Sequence, residues 1–119
     1  MTLGDKRRLF TKLICKHVLW VIAQGVEVAL DEGTERITAK DPTSDHMKNS
    51  LHHLGLAMDL LFYKDDVYLK DTASHKFSGV VWEQRHPLCR WGGRFRESSP
   101  GAGDGYDGNH YSFSHEGRM

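Results

Sequence analysis

The sequence predicts an α+β fold: a single domain over residues 1–119, with two main helices packed on one side of a small antiparallel sheet. Three observations carry this. Apolar residues recur at helical spacing near the start of the chain. Several later runs alternate apolar and polar residues, and turn-rich segments separate them. At 119 residues, 39% hydrophobic and 27% charged, the chain has the make-up of an ordinary globular domain with one core.

Thr2-Leu3-Gly4-Asp5 has the form of a capping box with Thr2 as N-cap. Leu9, Phe10, Leu13, Ile14, Val18, Val21 and Ile22 then form an apolar stripe. They predict an amphipathic helix from about residue 5 to about residue 24, stopped at Gly25. His17 falls in it as a structural or exposed side chain, and Cys15 as a small hydrophobe. "VEVAL", Val26 to Leu30, reads as a strand. Residues 31–49 are polar and read as a long loop with a helical turn near "DHMKN".

"LAMDLLFY" reads as a central strand, turning at Lys64-Asp65-Asp66 into "VYLK" as its hairpin partner. A second helix, capped by Thr72 or Ser74, presents Phe77, Val80, Val81 and Gln84 as its face and ends at Pro87. "CRWGGRF" places aromatics around a Gly-Gly kink, with Trp91 as a core and loop-shaping residue. Residues 97–108 are Gly- and Ser-rich and read as a loop, and "NHYSFSH" reads as a last strand.

Sixteen basic residues balance sixteen acidic ones, which removes the global electrostatic footprint of a nucleic-acid binder. Lys6-Arg7-Arg8 reads as a solvated helix face. No N-terminal signal peptide and no membrane-spanning run is legible, so the expectation is a soluble chain made in the cytoplasm, without stable membrane association and monomeric. The two cysteines, Cys15 and Cys89, lie far apart with no CxxC, and are expected as free thiols.

The chemistry-bearing stretch is "SLHHLGLAMD", Ser50 to Asp59. A strand carrying a carboxylate among Leu and Met must expose it or set something positive against it, because burying a bare carboxylate costs several kcal/mol or more. Side chains alternate along a strand. Leu56, Met58 and Leu60 share a core face, while Gly55, Ala57 and Asp59 share the other, with small residues leaving room around the carboxylate. In "DGNHYSFS", His110, Ser112 and Ser114 share one face, and Tyr111 and Phe113 the other. His52, Asp59 and His110 are thus candidate metal ligands, with Asp107 beside them. Three protein ligands and one open position make the arithmetic of a catalytic zinc site. Of the eight histidines, His53, His46, His75 and His86 have no such support, and His115, opposite in parity to His110, is the weaker rival.

"SLHHLGLAMD" fits S-x-H-x-x-G-x-A-x-D, and "WGGRF" followed by "DGNHY" resembles the C-terminal block of the same family. That family is the zinc-dependent D,D-carboxypeptidases and L-alanyl-D-glutamate endopeptidases, VanY-like and VanX-like, and the chain looks closest to its short phage endolysin branch. The resemblance spans residues 50 to 115. It implies a hedgehog/D,D-peptidase-like fold with the zinc on the open face of the sheet, one zinc peptidase domain, and His52, Asp59 and His110 as ligands. It makes Asp107 the general base, where many relatives have Glu. Arg36 is the match to the family's substrate-binding Arg, although Glu35 departs from the usual preceding residue, and Ser50 matches the motif's Ser. The activity implied is hydrolysis of an amide bond in the stem peptide of bacterial peptidoglycan, L-alanyl-D-glutamate, acting on the cell wall after release from the host cytoplasm. Rivals are a D-Ala-D-Ala carboxypeptidase of the same fold, a non-catalytic zinc-containing binding domain, and an HNH-type nuclease suggested by "GNH", which lacks a basic surface.

Overall fold

The computed structural model describes residues 1–31, 51–94 and 108–118. Helix α1 spans Leu3–Ala23, and α2 spans Lys76–Arg85 after a 3-10 turn over Thr72–His75. The strands are β1 Glu27–Asp31, β2 Ala57–Lys64, β3 Val67–Tyr68, β4 Cys89–Trp91 and β5 His110–Phe113. They pair antiparallel in the order β1-β2-β5-β4, with β3 on the far end of β2. The α+β class and the antiparallel sheet follow the sequence expectation. Among the described residues, no helix is long and apolar enough to cross a membrane.

The capping box forms as expected. Asp5 N donates to Thr2 Oγ1 at 3.1 Å, and Thr2 N donates back to Asp5 Oδ2 at 3.0 Å. Two helix donors that would otherwise lack a partner are thereby satisfied, so the helix opens at Leu3, earlier than the apolar stripe alone implies. β2 and β3 join through Asp65 and Asp66, both at positive φ (52° and 63°). That is the two-residue hairpin turn whose twist matches the strands.

Register decides which side chains share a face. Met58 and Trp91 lie directly opposite Tyr111, and Cys89 lies opposite Phe113. With Leu60 and Phe62 these form the helix-side face. Phe10 of α1 meets Trp82 and Phe113 edge-on, each at 5.8 Å between ring centres. Both helices therefore cover one face of the sheet. Trp82 Nε1 also donates to the Arg90 and Ser112 carbonyls at 3.0 and 3.2 Å, so α2 is joined to two strands by one indole.

A polar chain runs through this apolar layer. Arg85 Nε donates to His17 Nδ1 at 2.8 Å, which leaves the proton on Nε2, directed at Ser78 Oγ 2.7 Å away. Tyr111 OH donates to the same Ser78 Oγ at 3.0 Å and lies 2.8 Å from His75 Nδ1. His75 stacks on Phe62 at 3.9 Å. His17 is thus a structural histidine at the centre of the α1 stripe, fully buried.

Three expectations need correction. Cys15 is exposed, because the buried line of α1 runs through Phe10, Ile14, His17 and Val21. α2 buries Ser78, Gly79 and Trp82, while Phe77 and Gln84 face solvent. The Trp91 indole lies so close that only a residue without Cβ fits beneath it: a Cβ on Gly79 would stand 2.0 Å from the ring. That contact fixes which face of α2 turns inward. Neither Thr72 nor Ser74 caps α2, since the 3-10 turn leads directly into it, with His75 at the N-cap position and no side-chain cap.

Burial sets two measurable properties. It pushes the Cys89 thiol up to about 12, so native protein should react with a thiol reagent at Cys15 alone and unfolded protein at both cysteines. Two reactive thiols in the native state would contradict the buried position of Cys89.

Burial, with the Arg85 charge adding to it at His17, holds His17 at about 3, and burial alone holds His75 at about 4, against 6.5 for a free imidazole. Below about pH 6.5 the unfolded chain therefore binds more protons than the folded one. The stability contributed above that pH is lost as pH falls toward 4 and then 3, by about 1.4 kcal/mol per pH unit for each histidine. His17→Gln retains an acceptor for Arg85 and a donor for Ser78. Its stability in urea should fall less steeply between pH 6 and pH 4 than that of the wild type. An unchanged slope would show that His17 does not take up a proton on unfolding.

Candidate metal centre

Asp59 is the third residue of β2 and His110 the first of β5, directly opposite each other in the sheet. Opposed residues of an antiparallel pair point to the same face. Here that is the face turned away from the helices, shared by Ala57 and Ser112, also opposed. The parity read from the sequence is the parity of the fold.

His52 arrives differently, from a turn over residues 51–55 just before β2. Leu56 N donates to the Leu51 carbonyl at 2.8 Å and Gly55 N to the His52 carbonyl at 3.1 Å. Gly55 has φ +75°, a conformation that a side chain disfavours, so glycine here lets the chain double back before entering the strand. Leu51 is buried in the core and anchors the turn's first residue. Arg7 of α1 closes the turn from outside, its Nε donating to the Leu54 carbonyl at 2.6 Å. Arg7 thus does more than decorate a solvated helix face, and no spacing rule in the sequence links it to a turn 47 residues away.

The three ligand atoms form a tight triangle. His52 Nε2 lies 3.2 Å from Asp59 Oδ1, His110 Nδ1 lies 3.4 Å from the same oxygen, and the two nitrogens are 3.2 Å apart. Burial works to raise the Asp59 carboxyl, but the His110 and His52 imidazoles beside it outweigh burial and hold it well below the usual carboxylate range. Asp59 is 3% exposed and His110 7%, while the His52 side chain keeps 20% of its surface accessible. The three side chains are recessed, His52 being the most accessible of them.

These three residues can hold one metal ion: their ligand atoms lie within 4.8 Å of one another, and two imidazoles with one carboxylate are a donor set for first-row transition metals. A further carboxylate adds negative charge at this end of the sheet. Asp31 is directly opposite Asp59 on β1, giving a cross-strand row of Asp31, Asp59 and His110 on one face. Opposed like charges disfavour each other, so positive charge is favoured on that face. Sequence reading missed Asp31 because its place opposite Asp59 depends on strand register across the long 31–51 connection.

The other histidines go elsewhere. His53 is exposed. His115 stands 3.0 Å from Lys6 Nζ, and His86 Nδ1 accepts from Leu88 N at 3.0 Å. His75 lies buried among the helix-side residues against Tyr111. Asp107, Arg36, Ser50 and His46 lie outside the described residues. No protein-family model, no curated protein and no solved structure matches the chain.

Metal content separates the ligands from their neighbour. After equilibration with a divalent transition metal and desalting, His52→Ala and His110→Ala should each retain well under one equivalent by elemental analysis. His53→Ala should retain a full equivalent. Stoichiometric metal in either ligand variant would remove that residue from the centre.

Proposed function

We propose that the chain is a zinc-dependent peptidoglycan peptidase, an endolysin that hydrolyses an amide bond of the stem peptide, L-alanyl-D-glutamate. The observation that carries the reading is the His52, Asp59 and His110 triangle, with edges of 3.2, 3.4 and 3.2 Å. Ligands bound at zinc's usual distance of about 2.0–2.1 Å in a tetrahedron stand about 3.3–3.4 Å apart. The triangle therefore has the size of one face of a zinc tetrahedron, and three protein ligands leave the fourth position for chemistry. The sequence motif across Ser50 to Asp59 and the Asp107 to His110 spacing supply the family context.

A zinc ion bound here supplies Lewis acidity and makes water a nucleophile near neutral pH. The protein's own residues do the rest. His52, Asp59 and His110 would hold the ion, with the buried Asp59 carboxylate kept ionised by the imidazoles around it. The Asp107 carboxylate takes the proton of the attacking water and returns it to the leaving amine nitrogen. The Arg36 guanidinium binds a carboxylate of the stem peptide, and Ser50 orients the His52 turn or a substrate group. The place of action is the bacterial cell wall, during host lysis.

Digestion of purified peptidoglycan, with product masses read by mass spectrometry, tests the assignment. A new D-glutamate amino terminus identifies the endopeptidase. Release of terminal D-alanine identifies a D,D-carboxypeptidase instead. Wall binding with zinc bound and no product identifies a binding domain.

Asp107→Asn isolates the proton transfer. The amide fills the same volume but does not accept the proton at neutral pH. Wall-lytic turnover should fall by about 100- to 10,000-fold, with zinc content and Tm close to wild type. Full activity with zinc retained would place the base elsewhere, and loss of zinc would make Asp107 a ligand.

A further inference from the structure

We propose that Trp91 is a positioning residue for the metal centre, its indole N–H fixing the Gly108 carbonyl and, through that peptide, the approach of His110. Trp91 Nε1 donates to the Gly108 oxygen at 2.7 Å in a buried environment. Gly108 and Asn109 form the turn that leads into β5 at His110. The next carbonyl, that of Asn109, accepts from Leu60 N at 2.8 Å. Peptide units are planar, so these two bonds fix both planes that flank Asn109. The second plane carries the nitrogen and Cα of His110.

The indole is itself held without freedom. A Cβ on Gly79 would stand 2.0 Å from Trp91 Cδ2, and one on Gly93 would stand 2.3 Å from Cζ2. The ring is therefore pinched between α2 and the 3-10 turn Gly92–Arg94. Glu83 holds the strand behind it: Oε2 accepts from Trp91 N at 3.3 Å, and Oε1 pairs with Arg94 Nε. Gly108 is confined from its other side, where a Cβ would come within 2.6 Å of Thr72 Cα. A buried indole N–H needs an acceptor, and which acceptor it takes decides what it holds in place. Here the acceptor is the Gly108 carbonyl, in the turn that leads into the strand carrying His110.

The inference rests on the metal reading above, and zinc affinity tests it directly. The measurement is competition against a chromophoric chelator, with the visible absorption of the cobalt(II) form as a second readout of ligand geometry. Trp91→Phe keeps an aromatic ring and removes the donor. Its zinc dissociation constant should rise about tenfold or more, the loss typical of removing support behind a metal ligand, and its cobalt spectrum should shift. Cys89→Ala serves as the control, since it removes a buried side chain from the same strand without touching the indole bond. It should lower Tm with affinity and spectrum unchanged.

Wild-type affinity and spectrum in folded Trp91→Phe would overturn the proposal, as would an equal loss in Cys89→Ala. Should Trp91→Phe fail to fold, Gly93→Ala displaces the same ring by its added methyl group. Wild-type affinity in folded Gly93→Ala would then overturn it. Absence of zinc binding by the wild-type protein would instead defeat the metal reading itself, a result distinct from a loss confined to the variants.

Discussion

The buried carboxylate of Asp59 is the constraint around which this end of the protein is organised. A lone ionised carboxylate that is 3% exposed costs several kcal/mol or more unless positive or donating groups surround it. The chain meets that cost from two directions. His110 comes from a strand paired directly with Asp59, and His52 comes from the turn that starts the same strand. Small residues keep the space open, with Ala57 and Ser112 forming the adjoining cross-strand pair. A cation within the triangle would engage all three ligand atoms at once.

The two faces of the sheet divide the work, and β5 connects them residue by residue. His110 points to the face of the candidate metal centre, and Tyr111 points to the helices, where its hydroxyl joins His75 and Ser78. Ser78 joins His17 and so Arg85 at the surface. In this layer His17, His75, Ser78 and Tyr111 each have a named partner, and those bonds offset the cost of placing polar side chains among Phe62, Trp82 and Phe113. Because the network joins α1, the 3-10 turn, α2 and β5, it ties the helices to the strand that carries the candidate ligand His110.

Close backbone packing around Trp91 belongs to the same design. Gly79 and Gly93 are places where the indole needs the room a Cβ would take. The turn before His52 is closed by Arg7 on the Leu54 carbonyl, and the turn before His110 is closed by Trp91 on the Gly108 carbonyl. Both histidines are therefore delivered by turns whose carbonyls are held by side-chain N–H groups from distant elements. Such support limits the reorganisation needed when an ion binds.

Local pattern alone determined much of this protein. The Thr2 to Asp5 capping box started α1, the alternation around Asp59 and His110 put both on one face, and the two aspartates after Lys64 turned the hairpin. These features depend on residues within a few positions of one another, where side-chain period and backbone preference act directly. Tertiary packing decided the rest. His17 became a buried core residue because Arg85 and Ser78, more than sixty positions away, satisfy its two nitrogens. α2 turned Gly79 inward and Phe77 outward because Trp91 occupies the space beneath it. Asp31 came to lie opposite Asp59 through the register of β1 on β2. Partners so distant in the chain leave no periodic signal, since the free energy that selects them exists only once the elements are packed.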